Sequence, residues 1–331
     1  MEYRKIGNSE LKLSSITFGA FAIGGWLWGG SKHAESIEAI HAAYDSGITS
    51  FDTAPAYGQG TSEKLIGEAI KSIPRDKIQI LTKYGLRWDT KEGKFYTHSV
   101  ANDGEKIDMH FFAGKQGVIT ECENSLKRLG TDYIDLYQIH WPDPSTPIEE
   151  TMEAIQQLIK EGKIRYAGVC NFPAKLMKEA SSCFPLVSDQ VPYSMVNRGI
   201  EKELVPYMLK SQQSTIAYSP MQRGLLTGKI KPDHKFGEGD QRTNMPFYKK
   251  ENIKRTNEFL EKIRPLAEKK NATLAQLVLR WTIEQPSITI ALAGARNAEQ
   301  ATQNAKAADV KLSEEDISFI NKELDKLKLD I

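Results

Sequence analysis

Tyr133-Ile-Asp-Leu-Tyr-Gln-Ile139, the stretch 148–161 behind it, and Tyr166-Ala-Gly-Val169 together decide the fold. The two short ends are apolar and rich in β-branched or aromatic residues, which predicts buried strands. Between them Ala154, Ile155, Leu158 and Ile159 recur at helical spacing and stop before Gly162, a residue suited to a helix C-terminus. A strand, a helix of that length and a second strand make a crossover unit, and such a unit joins parallel strands.

Working outward, the same alternation recurs along the chain. Further strands are expected at 16–21, 48–52, 78–82, 188–191, 214–218 and 288–292. Helices are expected near 34–45, 62–72, 117–129, 174–181, 202–209, 273–284 and 298–305. In one of them Leu274, Leu277, Val278 and Trp281 share a face, and Gln285-Pro286 stops it. Repeated units of this kind demand a parallel sheet covered by helices, as an open doubly wound sheet or as a closed barrel. Eight is the barrel's number, and closure removes every edge strand. The expected fold is therefore α/β, a TIM (β/α)8 barrel, with residues 1–331 forming one domain because no Pro-, Gly- or Ser-rich linker divides them.

Three elements fall outside the repeat. They are an N-terminal hairpin over 1–13 with Gly7-Asn8 at its turn, a charged helix over 249–268, and a final helix from Ser313, capped with Asp316. Long loops follow two of the strands, at 84–113 and 219–248, and both exceed what an idle connector needs. They mark one end of the barrel as functional. Arg165 and Arg280 are expected to serve helix faces or salt bridges at the other end.

The 331 residues are 40% hydrophobic and 26% charged, with a formal charge of +1. That balance fits a soluble globular protein and offers no clustered positive charge for nucleic acid or an anionic membrane. The uncharged stretch 16–30 is studded with glycines and too short to span a bilayer. Cys122, Cys170 and Cys183 are too few and too far apart for a disulfide framework, which favours a reducing, cytoplasmic setting. Six scattered histidines without an HExxH pattern argue against a metal site.

Asp52, Tyr57, Lys83 and His140 fall at or just after the C-terminal ends of three successive expected strands. A tyrosine of reference pKa about 10 donates a proton near neutrality only beside a positive charge that favours its phenolate. Lys83 would supply that charge, Asp52 would hold the lysine, and His140 would donate to a carbonyl oxygen. Each residue alone has a plainer reading, as a strand-end cap, a loop aromatic, a snorkelling lysine or a structural histidine. Their coincidence on neighbouring strand ends favours one site.

Phe51-Asp-Thr-Ala-Pro-Ala-Tyr-Gly-Gln-Gly-Thr-Ser-Glu63 and Leu129-Gly-Thr-Asp-Tyr-Ile-Asp-Leu-Tyr-Gln-Ile-His-Trp-Pro-Asp143 resemble the two signature regions of the aldo-keto reductase family. The resemblance runs from Gly7 to Asn304, and its nearest branch holds the Bacillus reductases tied to general stress and to inositol use. It implies a catalytic tetrad of Asp52, Tyr57, Lys83 and His140, with Tyr57 as general acid and hydride arriving from the A face of a nicotinamide. It implies NADP(H)-dependent reduction of small carbonyl compounds, a role in stress response, and no obligate protein partner.

The resemblance also distributes the nucleotide. Asn171 and Gln190, short amides at successive strand ends, would hold the carboxamide, and Tyr218 would stack on the ring. Phe21 and Ala22 would touch the nucleotide after the first barrel strand. Ser219, Met221, Gln222, Arg223, Gly224, Leu225, Thr227 and Lys229 resemble the loop that closes on the pyrophosphate, with Gln222 where a glycine is common. Cys170 stands where serine is frequent. No GxGxxG follows the first strand, so anion binding falls to late loops and helix N-termini.

Arg296 would hold the 2′-phosphate, with Gly294, Gln300, Gln303 and Asn304 around the adenosine. Many members carry Lys, Arg and Glu at positions 294, 300 and 303, so positive charge here rests on Arg296 and some use of NAD(H) is allowed. Trp26, Trp28, Trp88 and Trp141 are candidates for an aromatic rim. The chain stops soon after its final helix, which implies an open, permissive pocket. A second reading is a nucleotide-binding, redox-sensing or regulatory subunit with little turnover.

Overall fold

In the computed structural model, which describes residues 1–331, eight parallel strands close into a barrel. A hairpin of β1 (Tyr3–Lys5) and β2 (Lys12–Ser14) comes first. Then β3 (Ile16–Gly19), α1 (His33–Asp45), β4 (Ser50–Asp52), α2 (Thr61–Ala69) and β5 (Gln79–Tyr84) alternate. A separate antiparallel sheet of β6 (Leu86–Arg87), β7 (Lys94–Val100) and β8 (Lys106–Phe111) precedes α3 (Lys115–Leu129). The alternation resumes with β9 (Ile134–Ile139), α4 (Ile148–Lys160), β10 (Ile164–Cys170), α5 (Ala174–Cys183), β11 (Ser188–Pro192), α6 (Leu204–Ser211) and β12 (Ser214–Tyr218). It ends with α7 (Lys250–Lys269), α8 (Leu274–Ile283), β13 (Ile288–Gly294), α9 (Ala298–Ala305) and α10 (Glu314–Leu324). Strand β13 returns to β3 in the register Leu292↔Thr17 and Gly294↔Gly19, which completes the closure.

The deciding stretch folds as read. On β9, Ile134, Tyr137 and Ile139 belong to the core between strands and helices, while Leu136 belongs to the cluster inside the barrel. A strand buried on both faces reads as a continuous apolar run. On α4 the buried face is Met152, Ala154, Ile155 and Leu158, and Gly162 at φ 72° supplies the left-handed turn that releases the chain. Burying each such side chain stabilises by roughly 1.5–3 kcal/mol.

The hairpin is more than an extra. Its Ile6, Leu11 and Leu13 share one cluster with Leu81, Leu136, Ile216 and Ile290 of the barrel, so the hairpin plugs the floor. Beside it Arg280 pairs with Glu2 at 2.8 Å and also with Glu284, and Arg165 reaches Asp135 at 3.3 Å. Charges at that end are structural. No helix is long and apolar enough to cross a membrane.

The stretch 84–113 departs from the expected loop because it carries β6, β7 and β8. Its signal is Asp103-Gly104, closed by Ala101 N–H to the Glu105 carbonyl and Gly104 N–H to the Ala101 carbonyl, since Asp-Gly between two strands marks a hairpin turn. Strand β3 ends earlier than expected, at Gly19, because Ala20 N–H already donates to the Asp52 carbonyl and the chain turns at Phe21. Strand β4 starts later, at Ser50, because Ile48 N–H still bonds back to Ala43 behind α1.

Candidate active site

Asp52 ends β4, Lys83 lies one residue before the end of β5, His140 directly follows β9, and Tyr57 sits in the turn after β4. The barrel therefore brings all four to its open end. Lys83 Nζ donates to Asp52 Oδ1 at 2.6 Å and to the Thr53 carbonyl at 2.8 Å. Its side chain is buried, and the ammonium lies 4.9 Å from the centre of the Tyr57 ring. The His140 ring stands 5.6 Å from the Tyr57 ring at 76°, and Phe21 closes the other side at 4.8 Å. Gly58, at φ +65°, allows this turn to touch the preceding loop, for a Cβ there would fall 2.1 Å from the Gly24 carbonyl.

The electrostatics follow from burial and sign. Burial raises the Tyr57 phenol above its ordinary range, Lys83 pulls it down and Asp52 pushes it further up. Burial works against the Lys83 ammonium, but Asp52 and the Tyr57 oxygen outweigh it and hold the proton on. Burial, aided by Lys83, takes His140 well below the ordinary imidazole range. The site thus combines an ammonium, a neutral tyrosine and a neutral imidazole with one N–H to donate.

Below and beside this group lie amides. Gln190 Nε2 donates to Asp52 Oδ2 at 2.8 Å and to Gln138 Oε1 at 3.3 Å. Asn171, held at φ 63°, donates to the His140 carbonyl at 3.0 Å and accepts from the Tyr218 hydroxyl at 3.0 Å. Burial raises the Cys170 thiol well above its ordinary range, so it is a small apolar group here.

A cleft of about 1350 Å³ runs from the β7 hairpin past this group to α8 and α9. Asp52, Tyr57 and His140 line it, and Lys83 sits behind them. Phe21, Ala22, Asn171, Gln190, Tyr218, Ser219, Met221, Arg223, Gly224, Thr227 and Lys229 line it too. So do Gly294, Arg296, Gln300, Gln303 and Asn304. Gln222 and Leu225 do not. The Leu225 side chain is buried with Ile230, Tyr248 and Ile253, and Gln222 turns away to accept from Ser194 at 3.0 Å.

The segment after β12 holds unusual backbone, with Ser219, Gln222, Arg223 and Gly224 all at positive φ. Such strain persists where the surroundings enforce it, and here Gln222 N–H closes onto the Ser219 carbonyl and Gly224 N–H onto the Met221 carbonyl. Arg223 in that segment has neutral partners, Gln241 Oε1 at 2.5 Å and Met245 Sδ at 3.0 Å, and burial lowers its proton affinity. Arg296 is exposed between β13 and α9. Its neighbours are partly engaged, with Gln300 accepting from Arg296 N–H at 2.9 Å, Asn304 donating to Gly294 at 3.0 Å and Gln303 accepting from Gln276 at 2.9 Å.

At the other end Trp26, Trp28 and Trp141 line the cleft, whereas Trp88 packs behind them against the cluster of Trp26 and Leu86. The sequence reading missed Tyr96, Thr97, His98 and Ser99 of β7, which form a wall and narrow the expected open mouth on that side. The wall is latched by Trp26 Nε1 to Ser99 Oγ at 3.0 Å and by Asn102 Nδ2 to the Gly24 carbonyl at 2.7 Å. It also missed Arg242, which lines the cleft, pairs with Asp240 at 2.6 Å and covers the Trp28 ring at 4.9 Å.

A sequence profile described as the Aldo/keto reductase family matches residues 15–325. The chain is 39% identical over 323 residues to Aldo-keto reductase YhdN of Bacillus subtilis, covering 97% of this chain and 93% of that one. It is 33% identical over 320 residues to an Escherichia coli protein named NADH-specific methylglyoxal reductase, covering 95% and 96%. Among solved structures, a glycerol dehydrogenase from Gluconobacter oxydans superposes with a TM-score of 0.87 at 35% identity, covering 98% of this chain and 95% of that one.

Proposed function

The chain belongs to the aldo/keto reductase family, oxidoreductases of carbonyl substrates, and from that premise we propose that it reduces aldehydes and small ketones to alcohols with NADP(H), Tyr57 serving as general acid. The observation that carries the reading is the buried Lys83 ammonium, held by Asp52 at 2.6 Å and set 4.9 Å from the Tyr57 ring.

The residues of the cleft fit a dinucleotide. Arg223 lines the cleft and has no carboxylate partner, which leaves its charge for a phosphate. Gln190 spends Nε2 on Asp52 and Gln138, which leaves Oε1 for the N–H of a carboxamide. When bound, the dinucleotide supplies the hydride. The chain's part is to hold the carbonyl oxygen between the Tyr57 hydroxyl and the His140 N–H, and to deliver the phenolic proton as negative charge develops there. Lys83 lowers the cost of the phenolate left behind, and Asp52 keeps the ammonium in place. The aromatic rings of Phe21, Trp26, Trp28 and Trp141 suit an apolar substituent on the carbonyl.

For the nucleotide, the reading assigns the 2′-phosphate to Arg296 and leaves room for NAD(H), as the name of the Escherichia coli relative invites. The whole chain, residues 1–331, acts as one reductase domain in the cytoplasm, where free thiols at Cys122, Cys170 and Cys183 stay reduced. The intact group around Tyr57 speaks against a sensing subunit without turnover.

Product analysis with an aldehyde panel tests the reaction class. One alcohol formed per NADPH consumed is expected, and nucleotide oxidation without alcohol contradicts the reading. A titration tests the nucleotide. Arg296→Ala should weaken NADPH binding by about 1.5–3 kcal/mol, the size of a charged hydrogen bond, and leave NADH nearly unchanged. Equal losses for both nucleotides refute that assignment.

A further inference from the structure

We propose that Gln138 is a positioning residue for the proton donor, holding the Asp52 carboxylate so that Lys83 faces Tyr57. The inference rests on the reading of Tyr57 as the acid. Gln138 lies on β9, is fully buried and does not line the cleft. Its strand register sets it beside Lys83 on β5 and Gly168 on β10. Residues in register share a face, so Gln138 points with Lys83 into the barrel. Position 168 has no side chain to crowd it. A Cβ there would meet Ser188 Oγ at 2.6 Å and Gln138 Cγ at 3.3 Å, so the glycine leaves the room that the amide fills.

The amide closes a small ring of polar groups. Gln138 Nε2 approaches Asp52 Oδ2 at 3.5 Å, and its Oε1 accepts from Gln190 Nε2 at 3.3 Å. Gln190 donates to the same Oδ2 at 2.8 Å. The other carboxylate oxygen, Oδ1, is left to Lys83. A buried amide among apolar neighbours costs free energy unless its atoms are paired, and here both are paired toward Asp52. A carboxylate is planar and turns as a unit, so fixing Oδ2 fixes Oδ1 and with it the ammonium. Gln190 faces the cleft and serves there as well. Gln138 lies away from the cleft and acts on the carboxylate directly and through Gln190.

The charged and titratable groups around Tyr57 are Asp52 on β4, Lys83 on β5, His140 after β9 and Cys170 at the end of β10. Tyr218 on β12 and Arg223 in the following loop complete the set. None of them is Gln138, which carries no charge, so an effect of its loss on the pH profile passes through the Asp52–Lys83 pair.

The test compares wild type, Gln138→Met and Gln138→Glu in alcohol oxidation, where Tyr57 must accept a proton and the rate rises with pH as it ionises. Methionine keeps the volume and donates nothing. It should lower kcat about five- to ten-fold and move the pH midpoint up by roughly 0.5–1 unit as the pull of Lys83 on the phenolate slackens. Dinucleotide Kd should change less than kcat, because Gln190 keeps its 2.8 Å bond to Asp52. A buried glutamic acid is protonated at low pH and its O–H can donate to Oδ2 as the amide does. Gln138→Glu should therefore match wild type at low pH and fall to the methionine level as it ionises. A methionine variant with wild-type kcat and midpoint overturns the proposal. So does a parallel fall in kcat and dinucleotide affinity with the midpoint unmoved, the mark of a loosened barrel. Failure of the acid assignment itself reads differently, because Tyr57→Phe would then keep its turnover.

Discussion

As a proton donor Tyr57 would depend on the ammonium 4.9 Å from its ring, which Asp52 holds at 2.6 Å. Removing one member of a buried pair leaves the other uncompensated, a loss on the order of 3–5 kcal/mol. Lys83→Met should therefore cost stability as well as turnover, and Lys83→Met combined with Asp52→Asn should recover part of the stability and none of the turnover. Urea denaturation of both variants checks this, and equal stabilities would contradict it. Burial, aided by Lys83, keeps His140 neutral well below the ordinary imidazole range. Carbonyl reduction should then show no inflection near pH 6.5, and a break there in kcat would show that the imidazole charges in the working range. These residues were legible in the sequence because each lies at or just after a strand end, where the alternation of strands and helices fixes position. Gln138 was not, since one amide inside an apolar run reads as buried strand. Gln222 and Leu225, expected at the nucleotide, lie in a loop, where no periodicity says which way a side chain turns.

Elements carry the substrate end of the cleft. The β7 wall is held by the Trp26–Ser99 and Asn102–Gly24 bonds, each a single tether. Ser99→Ala should change KM for a bulky aromatic aldehyde by about two- to ten-fold, the range of one net hydrogen bond, with dinucleotide affinity unmoved. An equal change in both would place the latch's effect elsewhere. Behind the hairpin Glu121 of α3 accepts from Gly85 N–H at 2.9 Å and lies 3.8 Å from Arg87. Burial pushes its carboxyl up to about 8 against the pull of Arg87. Because the folded state binds this proton more tightly than the unfolded chain, its contribution is full below 4.5 and is lost as pH rises through about 8. Glu121→Gln, which keeps an acceptor for Gly85, should flatten that decline in denaturation curves between pH 5 and 9. An unchanged slope would sink the assignment. The hairpin was hidden in the sequence because β7 is exposed along nearly its whole length and shows no alternation of buried and exposed residues, so its one clear mark was the turn at Asp103-Gly104.

At the scale of the molecule, eight strand–helix alternations favour a barrel, and closure of β13 on β3 settles the choice against an open sheet. The hairpin floor seals one end with Ile6, Leu11 and Leu13, so the other end alone offers a cleft. That much was legible because periodicity and crossover length are properties of long stretches, not of single side chains. What the sequence withheld is how the late loops fold over the cleft, where Gln241 N–H reaches across to Leu27 and Arg242 covers Trp28. The central claim is that this scaffold turns over carbonyl compounds through the Tyr57 hydroxyl. The measurement is steady-state reduction of a reactive aldehyde with NADPH by wild type and Tyr57→Phe, alongside dinucleotide Kd for each. Turnover by wild type, a fall of roughly 10²–10⁴-fold in kcat for the variant and equal Kd values are predicted. Tight dinucleotide binding with negligible wild-type turnover across a broad carbonyl panel, or a phenylalanine variant as fast as wild type, would contradict it.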